Sequence, residues 1–153
     1  GCGAVPRPGA WRPGGTNWVV MKENFYAQLA YYITQLDPNL KKEWQFKSTE
    51  TYACGRGPDG NVTCVDESPY GFEWCVNAPA IDVRGTVYAN SEDGNLYAIA
   101  QGGTVEDKIF LQLALGAGYT PVSIGPDGRL YAQNAGHLFA VGGSRPRQRA
   151  VRR

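Results

Sequence analysis

Apolar and polar positions alternate in short runs through the second half of the chain. Ile81 and Val83, then Val87 and Ala89, then Leu96 and Ala98 are spaced at a period of two, the period of a strand whose side chains point to opposite faces in turn. Tyr88, Tyr97 and Ile99 make intervening positions apolar as well, so both faces of these strands are expected to be covered. Turn residues separate the runs: Arg84-Gly85, Glu92-Asp93-Gly94-Asn95, Asp127-Gly128 and Asn134-Ala135-Gly136. Glycine at such places supplies the positive φ that hairpins need. The pattern predicts short antiparallel strands joined by tight turns, with Ile109 to Leu115 as an outer strand and no such strand after Val141.

This unit occurs twice. The stretch from Ala78 to Ile99, APAIDVRGTVYANSEDGNLYAI, returns as TPVSIGPDGRLYAQNAGHLFAV from Thr120 to Val141. Pro79 matches Pro121, Gly85 matches Gly128, Tyr88 matches Tyr131, Leu96 matches Leu138 and Ile99 matches Val141, a repeat of 42 to 43 residues. A period of that length built of short strands is the sign of propeller blades. The expected fold class is all-β: an incomplete β-propeller of antiparallel blade-like sheets. Trp44, Tyr88, Tyr97, Tyr131 and Phe139 are the expected packing residues between blades.

The motif P-A-x-D-x-x-G-T-V-Y-x-x-S-x-D-G-x-L-Y-A-I, read from Pro79 to Ile99, resembles the repeat of the PQQ-like β-propellers, a superfamily of quinoprotein alcohol dehydrogenases and many non-enzymatic scaffolds. Gln35 to Trp44, QLDPNLKKEW, resembles the blade-docking motif of that family, in which a tryptophan packs between blades. It departs from the motif at Leu40-Lys41, where the family has Thr-Gly. The resemblance spans Thr16 to Val141, closely in the second half and loosely in the first, and it implies fold rather than activity. The family's quinone enzymes carry a disulfide of adjacent cysteines over the cofactor. This chain has no Cys-Cys pair, so no cofactor is expected.

In the first half, a strand is expected at Trp18 to Met21. Phe25 to Leu36, FYAQLAYYITQL, has apolar spacing compatible with a helix. Its β-rich Tyr32-Ile33-Thr34 core, ended by Asp37-Pro38, favours a turn and then a strand from Tyr31 to Leu36. Phe25, Tyr26, Tyr31 and Tyr32 form an aromatic cluster suited to a core. Leu36 and Ile99 hold equivalent places yet lie 63 residues apart, about 21 more than one repeat. The excess falls in residues 49–77, either an insertion or a degenerate blade, since Gly57-Pro58-Asp59-Gly60 echoes Gly125-Pro126-Asp127-Gly128.

Length changes the picture. At 153 residues the chain suffices for one domain with a core, but this period gives only about three blades against the ~4–8 of closed propellers. A fragment, or one contributor to a larger ring, is therefore expected. Residues 1–15, with Val5 to Gly15 rich in Pro and Gly, read as an extended arm, and residues 16–143 as the blades. The chain begins Gly1-Cys2-Gly3 without Met or an apolar leader, so any secretory signal is expected to have been removed. No apolar run reaches the ~18 residues of a membrane span.

Cysteine placement narrows the chemistry. Cys54 and Cys64 flank Asp59-Gly60 almost symmetrically, so two short strands bring them face to face as a disulfide. Cys2 and Cys75 remain as further disulfide candidates. An even count with one local pair favours an oxidising compartment: extracellular, periplasmic or cell surface. The absence of a C-x-x-C argues against zinc. The single histidine, His137, falls in a turn of the repeat. Asp93, Asn95 and Asp127 are explained as turn residues rather than calcium ligands. Asn61-Val62-Thr63 matches the glycosylation sequon. No catalytic, cofactor-binding or metal-binding residue is assigned.

Net charge is +1, but Arg145, Arg147, Arg149, Arg152 and Arg153 place five positive charges in the last nine residues. The remainder carries −4. The tail, residues 144–153, is expected to engage an acidic surface on a neighbouring subunit. It lacks the aromatics that stack on nucleic acid bases, which disfavours nucleic acid as its partner. The composite expectation is a non-enzymatic structural or binding subunit of an extracellular or cell-envelope assembly. Two other classes stay open: a fragment of a quinone-dependent dehydrogenase whose cofactor site lies elsewhere, and a glycan-binding module using Trp11, Trp18 or Trp74.

Overall fold

The computed structural model describes residues 19–25, 30–69, 71–72, 74, 79–113 and 121–142, and only the backbone of Lys22, Asn24 and Phe25. Within these residues there are twelve strands and no helix. A first sheet holds β1 (Val19–Phe25), β2 (Ala30–Leu36) and β3 (Lys42–Lys47) in that order. A hairpin of β4 (Tyr52–Arg56) and β5 (Val62–Asp66) follows. The central sheet orders β6 (Ala80–Ile81), β7 (Val87–Asn90), β8 (Asn95–Ile99) and β9 (Val105–Phe110). The last sheet holds β10 (Ser123–Ile124), β11 (Leu130–Asn134) and β12 (His137–Val141). Every pairing is antiparallel between neighbours in sequence.

One turn builds six of the hairpins. In Asp37–Lys41, Gly57–Asn61, Asp82–Thr86, Ser91–Asn95, Ala100–Thr104 and Gly125–Arg129, the first residue's N–H bonds to the fifth carbonyl, and the fourth N–H to the first carbonyl. This is a type I turn closed by a left-handed fourth residue, except in Ala100–Thr104, where the third residue, Gly102, also has positive φ, 94°, as in a type II turn. The fourth place is held by Gly60, Gly85, Gly94, Gly103 or Gly128, with φ between 77° and 89°, except in the first turn, where Leu40 takes it at φ 61°. Leu40 thus leaves the turn's hydrogen bonds unchanged and puts a side chain where glycine fits best.

The three sheets share one register. Val19 pairs with Leu36, Val87 with Ile99 and Leu130 with Val141. Two residues on, Met21 pairs with Thr34, Ala89 with Tyr97 and Ala132 with Phe139. The alternate rows are Val20 with Gln35, Tyr88 with Ala98 and Tyr131 with Ala140. β1, β7 and β11 are therefore equivalent, as are β2, β8 and β12.

Packing follows from that alternation. One core joins Val20, Tyr31, Ile33, Trp44 and Phe46 of the first sheet to Val87, Ala89, Tyr97 and Ile99 of the central sheet. A second core joins Tyr88 and Leu96, on the other face of the central sheet, to Val122, Leu130, Ala132, Phe139 and Val141 of the last. The central sheet is covered on both faces, as its doubly apolar pattern predicts. The sheets stack in chain order, and each presents what we call a leading face to the next and a trailing face to the one before.

Some expectations are corrected in detail. The outer strand of the central sheet is Val105–Phe110 rather than Ile109 to Leu115. Leu111 instead leaves the sheet, buries its side chain, and donates its N–H to the Gly94 carbonyl at 2.8 Å. Val83 belongs to a turn, where it is exposed. The first strand runs through Phe25, longer than expected, and β2 begins at Ala30. The described part of the excess segment, residues 49–77, contains the two-stranded β4–β5 sheet.

Candidate interaction site

The β4–β5 hairpin stands out from the stack, with all of Val62–Asp66 exposed. Cys54 lies directly opposite Cys64, and the two form a disulfide. A lone two-stranded hairpin is marginal in water, so the cross-link supplies what a third strand would. Arg56 holds the hairpin to the central sheet, its guanidinium 5.7 Å from the centre of the Phe110 ring. Thr51 and Ser68 both donate hydroxyl hydrogen bonds to Asp66 at its base, at 2.7 and 2.8 Å, and these donors hold the Asp66 carboxyl below its ordinary pKa.

The densest chemistry among the described residues lies between the first and central sheets. Tyr97 packs against Trp74 at 5.2 Å and Phe46 at 5.7 Å between ring centres. Its hydroxyl donates to one oxygen of Asp93, and the Asn95 N–H donates to the other at 2.7 Å. Asp93 is wholly buried. Desolvation pushes its pKa up against the pull of those two donors. Burial, with the Asp93 charge beside it, pushes the Tyr97 phenol far up. Nearby, Lys108 Nζ meets Glu50 Oε2 at 2.8 Å and stands 5.8 Å from the centre of the Tyr97 ring. Burial raises the Glu50 carboxyl, but the Lys108 ammonium and the Tyr52 N–H outweigh it and leave the pKa lowered.

Phe46, Glu50, Tyr97 and Lys108 line an open cleft of about 240 Å³ there. Its two charges are spent on each other, and the one buried acid behind it has both oxygens occupied. The arrangement anchors β8 and the Ser91–Asn95 turn. No group of three or more His, Cys, Asp or Glu side chains gathers at metal-binding distance among the described residues. Within them, no helix is long and apolar enough to cross a membrane.

Each sheet junction also carries an amide clasp. Gln35 and Gln101 exchange hydrogen bonds of 2.9 and 3.1 Å between the first and central sheets. Between the central and last sheets Asn90 donates to Asn134 Oδ1 at 2.8 Å, and Asn134 donates to the Gln112 carbonyl at 3.0 Å. Paired amides at a sheet junction favour one register over its neighbours, because a slip leaves the buried Gln35, Asn90 and Asn134 unpaired.

The last sheet breaks the pattern. Ile33, Leu96 and Leu138 are equivalent leading-face residues, yet Ile33 is 0% and Leu96 3% exposed while Leu138 is 65% exposed. Beside Leu138, Ala140 is exposed and Tyr131 half-buried. At the centre of this face Ser123, Tyr131, Gln133, Leu138 and Ala140 are uncharged, and the Asp127–Arg129 ion pair of 3.0 Å lies at its rim beside Tyr131. At the other end of the stack, the trailing face of the first sheet presents Val19, Met21 and Leu36, all half-buried, around a buried Thr34. Thr34 and Gln45 both donate to Glu23.

Of the packing residues named from sequence, Trp44 and Tyr97 lie in the first core, and Tyr88 and Phe139 in the second. Tyr131 lies on the open leading face, against Gly125 of its own turn. His137 is exposed and opens β12. Trp74 is a core residue. Cys2, Cys75, Trp11, Trp18, Tyr26, the arm of residues 1–15, and Arg145, Arg147, Arg149, Arg152 and Arg153 lie outside the described residues. Sequence reasoning missed the Glu50–Lys108 and Asp93–Tyr97 pairs. Asp93 and Tyr97 do carry a signal, an acid and a tyrosine four apart across a turn. No family model matches the chain, and no curated protein matches it.

Proposed function

We propose that the chain is a non-enzymatic structural subunit of an extracellular or cell-envelope assembly, using propeller-like stacked blades as a protein-interaction scaffold. The observation that carries this reading is the exposed leading face of the last sheet, whose repeat counterpart on the central sheet is buried. Contiguous uncharged apolar surface of this kind marks sites of protein association. The Cys54–Cys64 disulfide fits an oxidising location. The arginine tail supplies a second, electrostatic attachment to an acidic neighbour, and no cofactor is invoked.

Native mass spectrometry of the purified particle, with and without reductant, tests this reading. A particle larger than the 16.6 kDa chain is expected. A 16.6 kDa monomer at every concentration contradicts it.

A further inference from the structure

We propose that the partner on the leading face is a second copy of this chain, docked head to tail through the trailing face of its first sheet. This rests on the assembly reading above and adds the identity, face and polarity of the contact. The chain already makes this contact twice within itself. First sheet to central sheet, and central sheet to last, each join a leading face to a trailing face in the same strand register. Among the described residues, no further sheet covers the leading face of the last sheet or the trailing face of the first, so one half of that junction is unused at each pole.

The two unused halves match row by row. Val19, Met21, Thr34 and Leu36 occupy the places that Val87, Ala89, Tyr97 and Ile99 fill in the first junction, and Leu130, Ala132, Phe139 and Val141 in the second. Opposite them, Tyr131, Leu138 and Ala140 occupy the places of Tyr88, Leu96 and Ala98. The centre of the leading face is uncharged, and the Asp127–Arg129 ion pair at its rim is already made. On the trailing face Glu23 accepts hydrogen bonds from Thr34 and Gln45, and Lys47, opposite Tyr32, is exposed at the edge, where its ammonium can stay in water. Because the two halves differ, the contact is heterologous: copies add with one polarity, closing a ring if the rotation allows and otherwise extending a filament.

Mixing variants tests this. Sedimentation velocity is run over a concentration series on the wild type, Leu138→Lys, Leu36→Lys, Met21→Lys, and the control Val65→Lys, whose side chain is equally exposed on the hairpin. Wild type and Val65→Lys are expected to associate alike. Leu138→Lys and each trailing-face variant are expected to associate at least about tenfold more weakly, since a lysine must lose its hydration to enter the contact. An equimolar mixture of Leu138→Lys and Leu36→Lys has one intact leading and one intact trailing face, so it is expected to form a two-chain particle and nothing larger. Melting curves confirm that each variant folds, and Met21→Lys replaces Leu36→Lys if the latter does not.

The outcomes separate the two claims. A wild type that stays monomeric overturns both. A wild type that assembles while Leu138→Lys assembles equally well overturns this inference alone. A trailing-face variant that associates as the wild type does shows a contact between leading faces, and two monomeric variants that stay monomeric when mixed rule out complementary faces; either result overturns the head-to-tail polarity.

Discussion

Leu40 offers a measurement of what the shared turn demands. It is the only non-glycine at the left-handed position of the six turns, with φ 61°, and its side chain is 69% exposed. Replacing it by glycine alone would mix two effects, because the third of the side chain that is covered also loses its contacts. Comparing Leu40→Gly with Leu40→Ala removes that ambiguity, since both variants lose the same contacts and only alanine keeps a Cβ. The left-handed conformation costs a residue with a Cβ roughly 1–2 kcal/mol, and glycine gives back roughly 0.5–1 kcal/mol in unfolded-chain entropy. Leu40→Gly should therefore be the more stable variant by about 1 kcal/mol, or roughly 2–4 °C in Tm for a chain of this size.

Urea and thermal melts followed by far-UV circular dichroism read the difference directly. Gly128→Ala is the mirror experiment. No atom lies within 4 Å of a Cβ built there, so it should lose stability by the same amount through backbone strain alone. An alanine variant at position 40 as stable as the glycine variant, or more so, would refute the reasoning. That is the order expected wherever φ is negative.

Three further expectations follow from the packing and the charges. Asp93 has a folded pKa raised above its unfolded value, so its contribution is complete at low pH and is lost as pH rises through the folded value. The wild type should lose stability on going upward from about pH 4, and Asp93→Asn should flatten that slope in pH-dependent melts. Reducing Cys54–Cys64 removes roughly 2–3 kcal/mol of loop-closure stabilisation from a hairpin with few other supports; hydrogen exchange should quicken in residues 52–66 and stay unchanged in β7 and β8. Deleting residues 144–153 should make association less sensitive to salt, because screening acts on the attraction the five arginines supply; an unchanged salt dependence would remove the tail from the contact.

The local parts of this fold were legible from residues. Turn chemistry is local, so Asp127-Gly128 and Asn134-Ala135-Gly136 marked hairpins correctly. Cys54 and Cys64 could be paired because a two-strand ladder around Asp59-Gly60 fixes their distance. What failed was the outer strand. Val105–Phe110 exposes three charged residues and one isoleucine in a row, since only one edge of it meets the sheet, and the apolar run beyond it looked more like a strand. Leu111 is apolar for another reason: it seals the Ser91–Asn95 turn.

The candidate site was half legible. That Leu96 and Leu138 are equivalent could be read from the repeat, but their opposite exposure depends on where the stack ends. Glu50 and Lys108 are 58 residues apart, and only the packing of the first sheet on the central one brings them together. The clasp of Asn90 with Asn134 is of the same kind, two polar residues whose role exists only at a sheet junction.

Hydroxyl-radical footprinting of the protein, compared between dilute and concentrated samples and read at Leu138 and Val65, tests the central claim most directly. Both residues are about two-thirds exposed in the single chain, so both start accessible to the radical, and each is compared with itself across the dilution. The account predicts that Leu138 becomes protected as the particle forms while Val65 stays reactive. Equal reactivity of Leu138 at every concentration, in a sample shown to contain the particle, would contradict it.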